Sequence, residues 1–214
     1  IAVNPDAALF SCRYKEVDEK GRPFLGNCDL PAGFFGEVAD FFLHYKHSRS
    51  LICSSNICAR RQLIQQVGGF PEGQRIGEDI YLWLRLALNG AVMFSDQILS
   101  TIYRNAENRT VSSGLRAMPY HTRYFLTDHS WRQGQDPAVV RQLLSFIFHN
   151  GLVNVCGALM VQKKEVAAEY IRLIRPHHPL LALAIRCLSL LPSAVFLFGK
   201  KLRNTMTIRS IDGK

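Results

Sequence analysis

One segment near the middle of the chain constrains the fold more than any other. A double glycine at 68–69 is typical of a helix end, and a polar loop containing proline and glycine follows it. Two adjacent carboxylates, Glu78 and Asp79, then precede the apolar run 80–88, which ends at an Asn-Gly pair. A helix that is apolar almost all round is a buried one. The segment therefore predicts a core helix whose first turn carries two negative charges.

Those two carboxylates admit two interpretations. Both can be first-turn residues that interact with the free N–H groups and the dipole of the helix start. Alternatively, one of them caps the helix and the other faces a cleft, where it acts as a general base. A helix start can serve both roles at once, so the pattern alone leaves the two interpretations open.

The motifs around this helix resemble the acceptor-side motif of family-2 glycosyltransferases, which have the GT-A fold. The resemblance covers roughly residues 7–108. It is carried by the runs Gly69–Glu72, Gly77–Asp79 and Leu82–Ala87, by Ser54–Asn56 and Ala59–Arg61 upstream, and by Tyr103–Asn105 downstream. It implies an α/β fold, namely the acceptor-side half of a nucleotide-diphospho-sugar transferase domain. It also implies transfer of a sugar from a nucleotide-diphosphate donor to a hydroxyl acceptor, with inversion expected.

The resemblance assigns roles to named residues. Asp79 is the expected general base, with Glu78 as its orienting neighbour. Arg104 follows a predicted strand, where its guanidinium could hold the donor diphosphate through a forked pair of hydrogen bonds. Ser55 and Asn56 are the expected acceptor-binding residues. The plainer alternatives are a surface arginine at a strand end, and a turn that only caps the following helix.

A divalent cation, Mg or Mn, is the cofactor that the resemblance implies. In the family its ligands belong to an Asp-x-Asp motif, and this chain contains no Asp-x-Asp. We therefore expect no metal ligand in this chain, and we expect that the nucleotide-binding half either precedes residue 1 or never existed. On this interpretation the chain would be inactive by itself.

Hydrophobic periodicity predicts strands only in the first half of the chain. The predicted strands are Ala7–Val17, Pro23–Gly26, Leu51–Ser54, Ala91–Phe94 and Ile98–Tyr103, the last two on either side of a turn at Ser95–Gln97. Besides the central helix, the predicted helices are Pro31–Lys46, Cys58–Val67, Leu115–Trp131, Pro137–His149, Leu152–Arg175 and Leu180–Leu202. We thus predict a catalytic-domain half at 1–112 and an all-helical region at 113–214.

The positive charge is confined to the second half of the chain. Residues 1–107 contain 11 Lys/Arg and 12 Asp/Glu, a balance of −1, whereas residues 108–214 contain 15 and 5, a balance of +10. Such asymmetry favours a phosphate-rich partner, either anionic lipid or nucleic acid. The cations are dispersed along predicted helices without a nucleic-acid motif, so we expect a membrane surface and no nucleic acid.

The segment 180–203 is the expected membrane contact. Its apolar stretch is just long enough to cross a bilayer. However, Arg186 near its centre would cost about 2.5–3.5 kcal/mol on insertion scales. Lying in the interface is therefore favoured over crossing, with a helix packed on the domain as the alternative. The six cysteines form no disulfide or zinc pattern, which indicates a reducing compartment. These features predict a cytoplasmic protein, peripheral on the inner face of the cell membrane.

Three function classes follow. The first is a glycosyltransferase of surface polysaccharide or glycolipid synthesis, which acts on a glycan or a lipid-linked acceptor. The second is a non-catalytic membrane-surface or scaffolding relic of the same fold. The third, which the dispersed cations disfavour, is a basic nucleic-acid-binding protein.

Overall fold

The protein has a mixed α/β fold, as predicted. The structure is a computed structural model that describes residues 4, 6–48, 51–105 and 117–191. Its elements are β1 (Ala7–Val17), β2 (Pro23–Leu25), β3 (Phe35–Glu37), α1 (Phe41–His47), β4 (Ile57–Ala59), α2 (Arg61–Gln66), α3 (Glu78–Ala87), β5 (Ala91–Tyr103), α4 (Tyr120–Thr127), a 3-10 turn (Ser130–Arg132), α5 (Pro137–Met160), α6 (Lys164–Ile174) and α7 (Pro179–Ser189). Every described element after Tyr103 is helical.

The sheet is built around β1. One edge of β1 pairs in parallel with β5, which pairs in turn with β3 in the antiparallel sense. The other edge of β1 pairs antiparallel with both β2 and β4. The start of β1 is apolar and buried at Ala7, Ala8 and Leu9. It is this hydrophobic run that places β1 in the core.

A bulge in β5 stands where we predicted a turn between two strands, and that prediction is wrong. Cys12 lies opposite Ser95, and the next residue of β1, Arg13, lies opposite Ile98. Two residues, Asp96 and Gln97, are therefore extra on β5. The Asp96 carboxylate accepts hydrogen bonds from Arg13 Nη1 at 2.6 Å and from the Gly33 N–H at 2.8 Å. These partners, distant in sequence, hold the polar residues within the strand.

Two further boundaries differ from the sequence prediction. The segment expected as one helix, Pro31–Lys46, contains β3 and then α1, because Phe35–Glu37 pairs with β5. Asp40, at the N-cap, has a left-handed φ of 52°, so the helix can only start after it. The strand expected at Leu51–Ser54 is absent, and Ile57–Ala59 pairs with β1 in its place. As a result α2 begins at Arg61 and not at Cys58.

The helical half also departs from prediction at three points. α5 runs through Gly151 without a break, and the chain reverses only after Met160, where Gln162 has a φ of 61°. α4 starts at Tyr120, directly after a proline. α7 ends at Ser189 and not at Leu202. Pro192 follows shortly after, and a proline disfavours the helical conformation for the residue that precedes it. The remainder of the predicted 180–203 helix lies outside the described residues.

Gly151 explains why the predicted helix break was wrong. A Cβ atom at this position would lie 2.3 Å from the Tyr170 ring. Tyr170, on α6, is fully buried. The glycine thus allows α6 to pack closely on α5, and it does not end the helix.

The described residues group into two compact units. Those up to Asn105 belong to the first unit together with Pro119–His149, and residues 150–191 belong to the second. In the first unit α3 is the core helix, as predicted: Tyr81, Leu82, Trp83, Leu84 and Leu86 are buried. By length and composition α5 could cross a membrane, and 39% of its most apolar window is buried in the fold.

The anchor of the β5 bulge generates a pH-dependent prediction. The Gly33 N–H, with help from Arg13, holds the pKa of Asp96 below its usual value. A lowered folded-state pKa contributes stability above the unfolded pKa of about 4, and this contribution disappears as the pH falls through the folded value. We expect Asp96→Asn to lower the free energy of unfolding by about 2 kcal/mol at pH 7.

Urea unfolding at pH 7 and at pH 3 measures this effect. The difference between wild type and Asp96→Asn should shrink at the lower pH. Gln97→Ala is the matched control, because Gln97 is the exposed neighbour within the same bulge. A loss for Asp96→Asn that does not change with pH would contradict the assigned ion pair.

Candidate functional site

The start of α3 is held in place by the start of α4. The Tyr120 N–H donates a hydrogen bond to the Ile76 carbonyl at 2.8 Å, and His121 Nδ1 lies 3.3 Å from the Gly77 carbonyl oxygen. Gly77 is the N-cap of α3 and has a φ of 78°. A Cβ atom there would lie 2.5 Å from His121 Nδ1 and 2.7 Å from Pro119 Cβ. Both the backbone conformation and the close packing therefore require glycine immediately before the two carboxylates.

Asp79 lies half-buried in the first turn of α3. Its Oδ1 accepts a hydrogen bond from the N–H of Ile80 at 2.7 Å. Its Oδ2 accepts one from Ser54 Oγ at 3.2 Å. One oxygen is thus held by its own helix, and the other faces the exposed hydroxyl of a neighbouring turn.

That turn, residues 53–56, is braced by Asn56. The Asn56 side chain is buried, and its Oδ1 accepts a hydrogen bond from the Cys53 N–H at 2.6 Å. Its Nδ2 donates to the carbonyls of Cys12 and Leu51. The Asn56 amide, predicted to bind the acceptor, is thereby occupied in fixing the backbone that presents Ser54 and Ser55.

β5 also holds this turn. Ser100 Oγ donates a hydrogen bond to the Ser55 carbonyl at 3.0 Å. Ser55 and Asn56 line a cavity of about 490 Å³ between β1, β3, β4 and β5. Most of the cavity wall is apolar and includes Phe10, Ile57 and Met93, whereas Asp79 is not among the lining residues. The turn consequently contacts the Asp79 carboxylate through Ser54 and lines the cavity through Ser55 and Asn56.

Tyr45 is a neighbour of Asp79 that the sequence analysis missed. Burial, and in lesser part the negative charge of Asp79, raise the pKa of the Tyr45 hydroxyl, which therefore stays protonated. Its ring stacks on Phe41 and Phe146 at centroid distances of 5.3 and 4.9 Å. No local pattern in the sequence links this residue of α1 to the start of α3.

Glu78 does not orient Asp79 through a direct contact. Among the described residues, Asp79 accepts hydrogen bonds from Ser54 and Ile80. Glu78 is half-buried, and its Oε2 has no hydrogen-bond partner among the described residues. A buried carboxylate oxygen with spare acceptor capacity lies beside the candidate base.

The structure does not bring Arg104 to this group. Its guanidinium forms an ion pair with Glu16, whose side chain is 8% exposed, and lies 5.6 Å from the centre of the Phe24 ring. Glu16 is four residues beyond Cys12 on β1, which is roughly 13 Å along the strand from the contact with Asn56. The predicted diphosphate ligand is therefore held at the C-terminal end of β1, away from the contact with Asn56.

The described residues do not fit the divalent cation that the motifs imply. They contain no group of three or more His, Cys, Asp or Glu side chains that could hold a metal ion. We therefore derive no step through such an ion.

No family model, curated protein or solved structure matches the chain. The likeness to family-2 glycosyltransferases thus stays a prediction from the motifs at 54–56, 77–79 and 103–105. The local geometry around Asp79 is the second, separate source of information on function.

Replacing Gly77 tests how the site is positioned. Gly77→Ala should lower the free energy of unfolding by about 3 kcal/mol, because it adds a collision with His121 and Pro119 to the cost of positive φ. Gly73 is the matched control, since it has a φ of 72° and open space around it. Gly73→Ala should cost only about 1 kcal/mol.

Urea denaturation of the two variants gives the comparison. Equal losses for Gly77→Ala and Gly73→Ala would mean that the contact with α4 does not fix the start of α3.

Proposed function

We propose that the protein is the acceptor-side part of a glycosyltransferase, which moves a sugar from a nucleotide-diphosphate donor to a hydroxyl acceptor with inversion. The observation that carries the proposal is the placement of Asp79. This half-buried carboxylate opens the core helix and meets the exposed Ser54 of a rigid turn. The motif resemblance assigns the base role to the same residue.

The chemistry requires a base because a sugar hydroxyl is a poor nucleophile. A carboxylate that accepts the hydroxyl proton while the new C–O bond forms removes that difficulty. Asp79 Oδ1 is occupied by the Ile80 N–H, so Oδ2 is the atom available to an incoming hydroxyl. Ser54 Oγ lies 3.2 Å from Oδ2. The incoming hydroxyl would therefore bind either in place of the serine hydroxyl or beside it.

One base on one face of the sugar gives a single displacement. The acceptor oxygen forms a bond to the anomeric carbon, the bond to the donor phosphate oxygen breaks, and the nucleoside diphosphate leaves with the electron pair. The acceptor proton goes to Asp79. The negative charge on the leaving group must be balanced by fixed positive charge.

Substituting the base tests the reaction directly. In the full-length protein, Asp79→Asn should lower kcat by about 10²-fold or more, because the amide cannot accept the proton. The measurement is transfer from a radiolabelled nucleotide sugar. Glu72→Gln is the control, since it neutralises an exposed carboxylate in the preceding loop. Turnover by Asp79→Asn at the wild-type rate would remove Asp79 from the mechanism.

Arg104 is proposed as a contact of the donor diphosphate. To bind the phosphate, its guanidinium would leave the ion pair with Glu16. Arg104→Ala should then weaken donor binding by about tenfold, the scale of one charge-assisted contact. Glu16→Gln separates the two roles, because it breaks the ion pair and leaves the arginine in place.

Titration calorimetry with a panel of nucleotide sugars reads out both variants. Donor affinity should fall for Arg104→Ala and be kept or increased for Glu16→Gln. An equal fall in both, accompanied by lost stability, would make the Arg104–Glu16 pair purely structural.

For the acceptor we propose a glycan or a lipid-linked sugar in surface polysaccharide or glycolipid synthesis at the inner face of the cell membrane. Ser55 is the better candidate for direct contact, because it is exposed and Asn56 is engaged in the turn. Asn56 would then support the acceptor site by fixing its backbone. We propose no nucleic-acid partner.

The non-catalytic relic is the second candidate. The pairing of Arg104 with a buried carboxylate favours it, since that arginine is already neutralised. A full-length protein that binds no nucleotide sugar, and whose folding is unaffected by Asp79→Asn, would support the relic.

A further inference from the structure

We propose that α7 docks on an anionic lipid bilayer and lies flat in the headgroup region. Its outer face carries a continuous apolar stripe at spacings of three and four residues. The α7 stripe consists of Leu180, Leu183, Ala184, Cys187 and Leu188 of the helix, together with Leu191 just beyond its end. All six are exposed, with Leu180 at 82% and Leu183 at 58%.

The opposite face of α7 is already occupied. Ala182 and Ile185 are buried, and α7 contacts α6 within the same compact unit. A helix that is apolar on both faces, with only one face covered, leaves the second face to another apolar phase. Exposure of the α7 stripe to water is therefore unfavourable.

The dimensions decide between lying on a membrane and crossing it. α7 has 11 residues. At 1.5 Å per residue it is about 16 Å long, roughly half of the ~30 Å hydrocarbon core. The described helix can place its stripe at the boundary between headgroups and acyl chains, but it cannot span the bilayer.

Charge identifies the kind of lipid. Residues 170–191 contain three arginines, Arg172, Arg175 and Arg186, and no Asp/Glu. Arg186 is exposed beside the α7 stripe, where its long side chain can extend to the headgroups while the leucines insert. Arg175 is exposed just before the helix. An excess of cations over acids in this segment favours an anionic surface over a neutral one.

A second copy of the chain fits this face less well. A helix about 16 Å long and ~10 Å wide offers on the order of 160 Å², against about 800 Å² per partner in a stable interface. The stripe also lacks the Trp, Tyr and Arg side chains that anchor protein partners. This inference goes beyond the proposed reaction, because vesicle binding can be measured whether or not sugar is transferred.

The experiment is co-sedimentation of the 214-residue chain with vesicles of phosphatidylcholine, with and without phosphatidylglycerol. The wild type should partition onto the phosphatidylglycerol vesicles and be released by high salt. Leu183→Glu with Leu188→Glu should lower the partition coefficient by at least about tenfold, since two exposed leucines that would insert into the bilayer are lost. Val153→Glu is the matched control, because Val153 is equally apolar and 48% exposed on α5.

Circular dichroism confirms that the variants are folded, and light scattering gives their mass. Partition of the Leu183/Leu188 double variant equal to wild type would overturn the proposal. The proposal would also be overturned if the wild type is a dimer that does not bind vesicles and the double variant is a monomer. That outcome would assign the stripe to a second copy of the chain. Leu183→Met should keep vesicle binding and thereby show that apolar character, and not leucine itself, is required.

Discussion

The parallel pairing of β1 with β5 is the interaction on which the rest of the first unit depends. Parallel strands cannot be joined by a tight turn, so the intervening chain must cross over from one end of the pair to the other. That crossover contains β3, α1, the turn at 53–56 and α3. Ser54 and Tyr45 therefore reach their places near Asp79 because two strands distant in sequence lie side by side.

Polar side chains then fix what the hydrophobic core leaves undetermined. Asn56 ties its turn to β1, and Ser100 ties the same turn to β5. Asp96 ties the β5 bulge to the loop that carries Gly33. Hydrogen bonds have directions that apolar contacts lack, so these three residues set the register and orientation of the backbone around the candidate site. The carboxylate of Asp79 meets a turn that is already rigid.

Local patterns predicted the elements whose determinants are local. β1 was predicted at its observed bounds and α3 to within a residue or two of its end, because a run of buried residues and a glycine-preceded apolar segment each specify one structure. The bulge at Asp96, the strand at Phe35–Glu37 and the uninterrupted helix at Gly151 were missed. In each case the decisive partner, Arg13, β5 or Tyr170, lies far away in sequence.

The residues of the candidate site also fall into two groups, those that local patterns predicted and those that they missed. Asp79 could be found because a carboxylate at a helix start is a local signal, and the neighbouring turn was found through its motif. The bond from Ser54 and the nearness of Tyr45 depend on the crossover, which no periodicity encodes. The pairing of Arg104 with Glu16 likewise follows from the pairing of β1 with β5 and not from the order of motifs.

The contact between Gly77 and the start of α4 has a consequence for modularity. Pro119, Tyr120 and His121 come after the last strand, in the part of the chain that looks like an appendage. They nevertheless support the loop that delivers the carboxylate pair. The start of α4 is thus not an interchangeable attachment, because a chain cut back to the sheet would lose the contacts that hold the loop before Glu78 and Asp79.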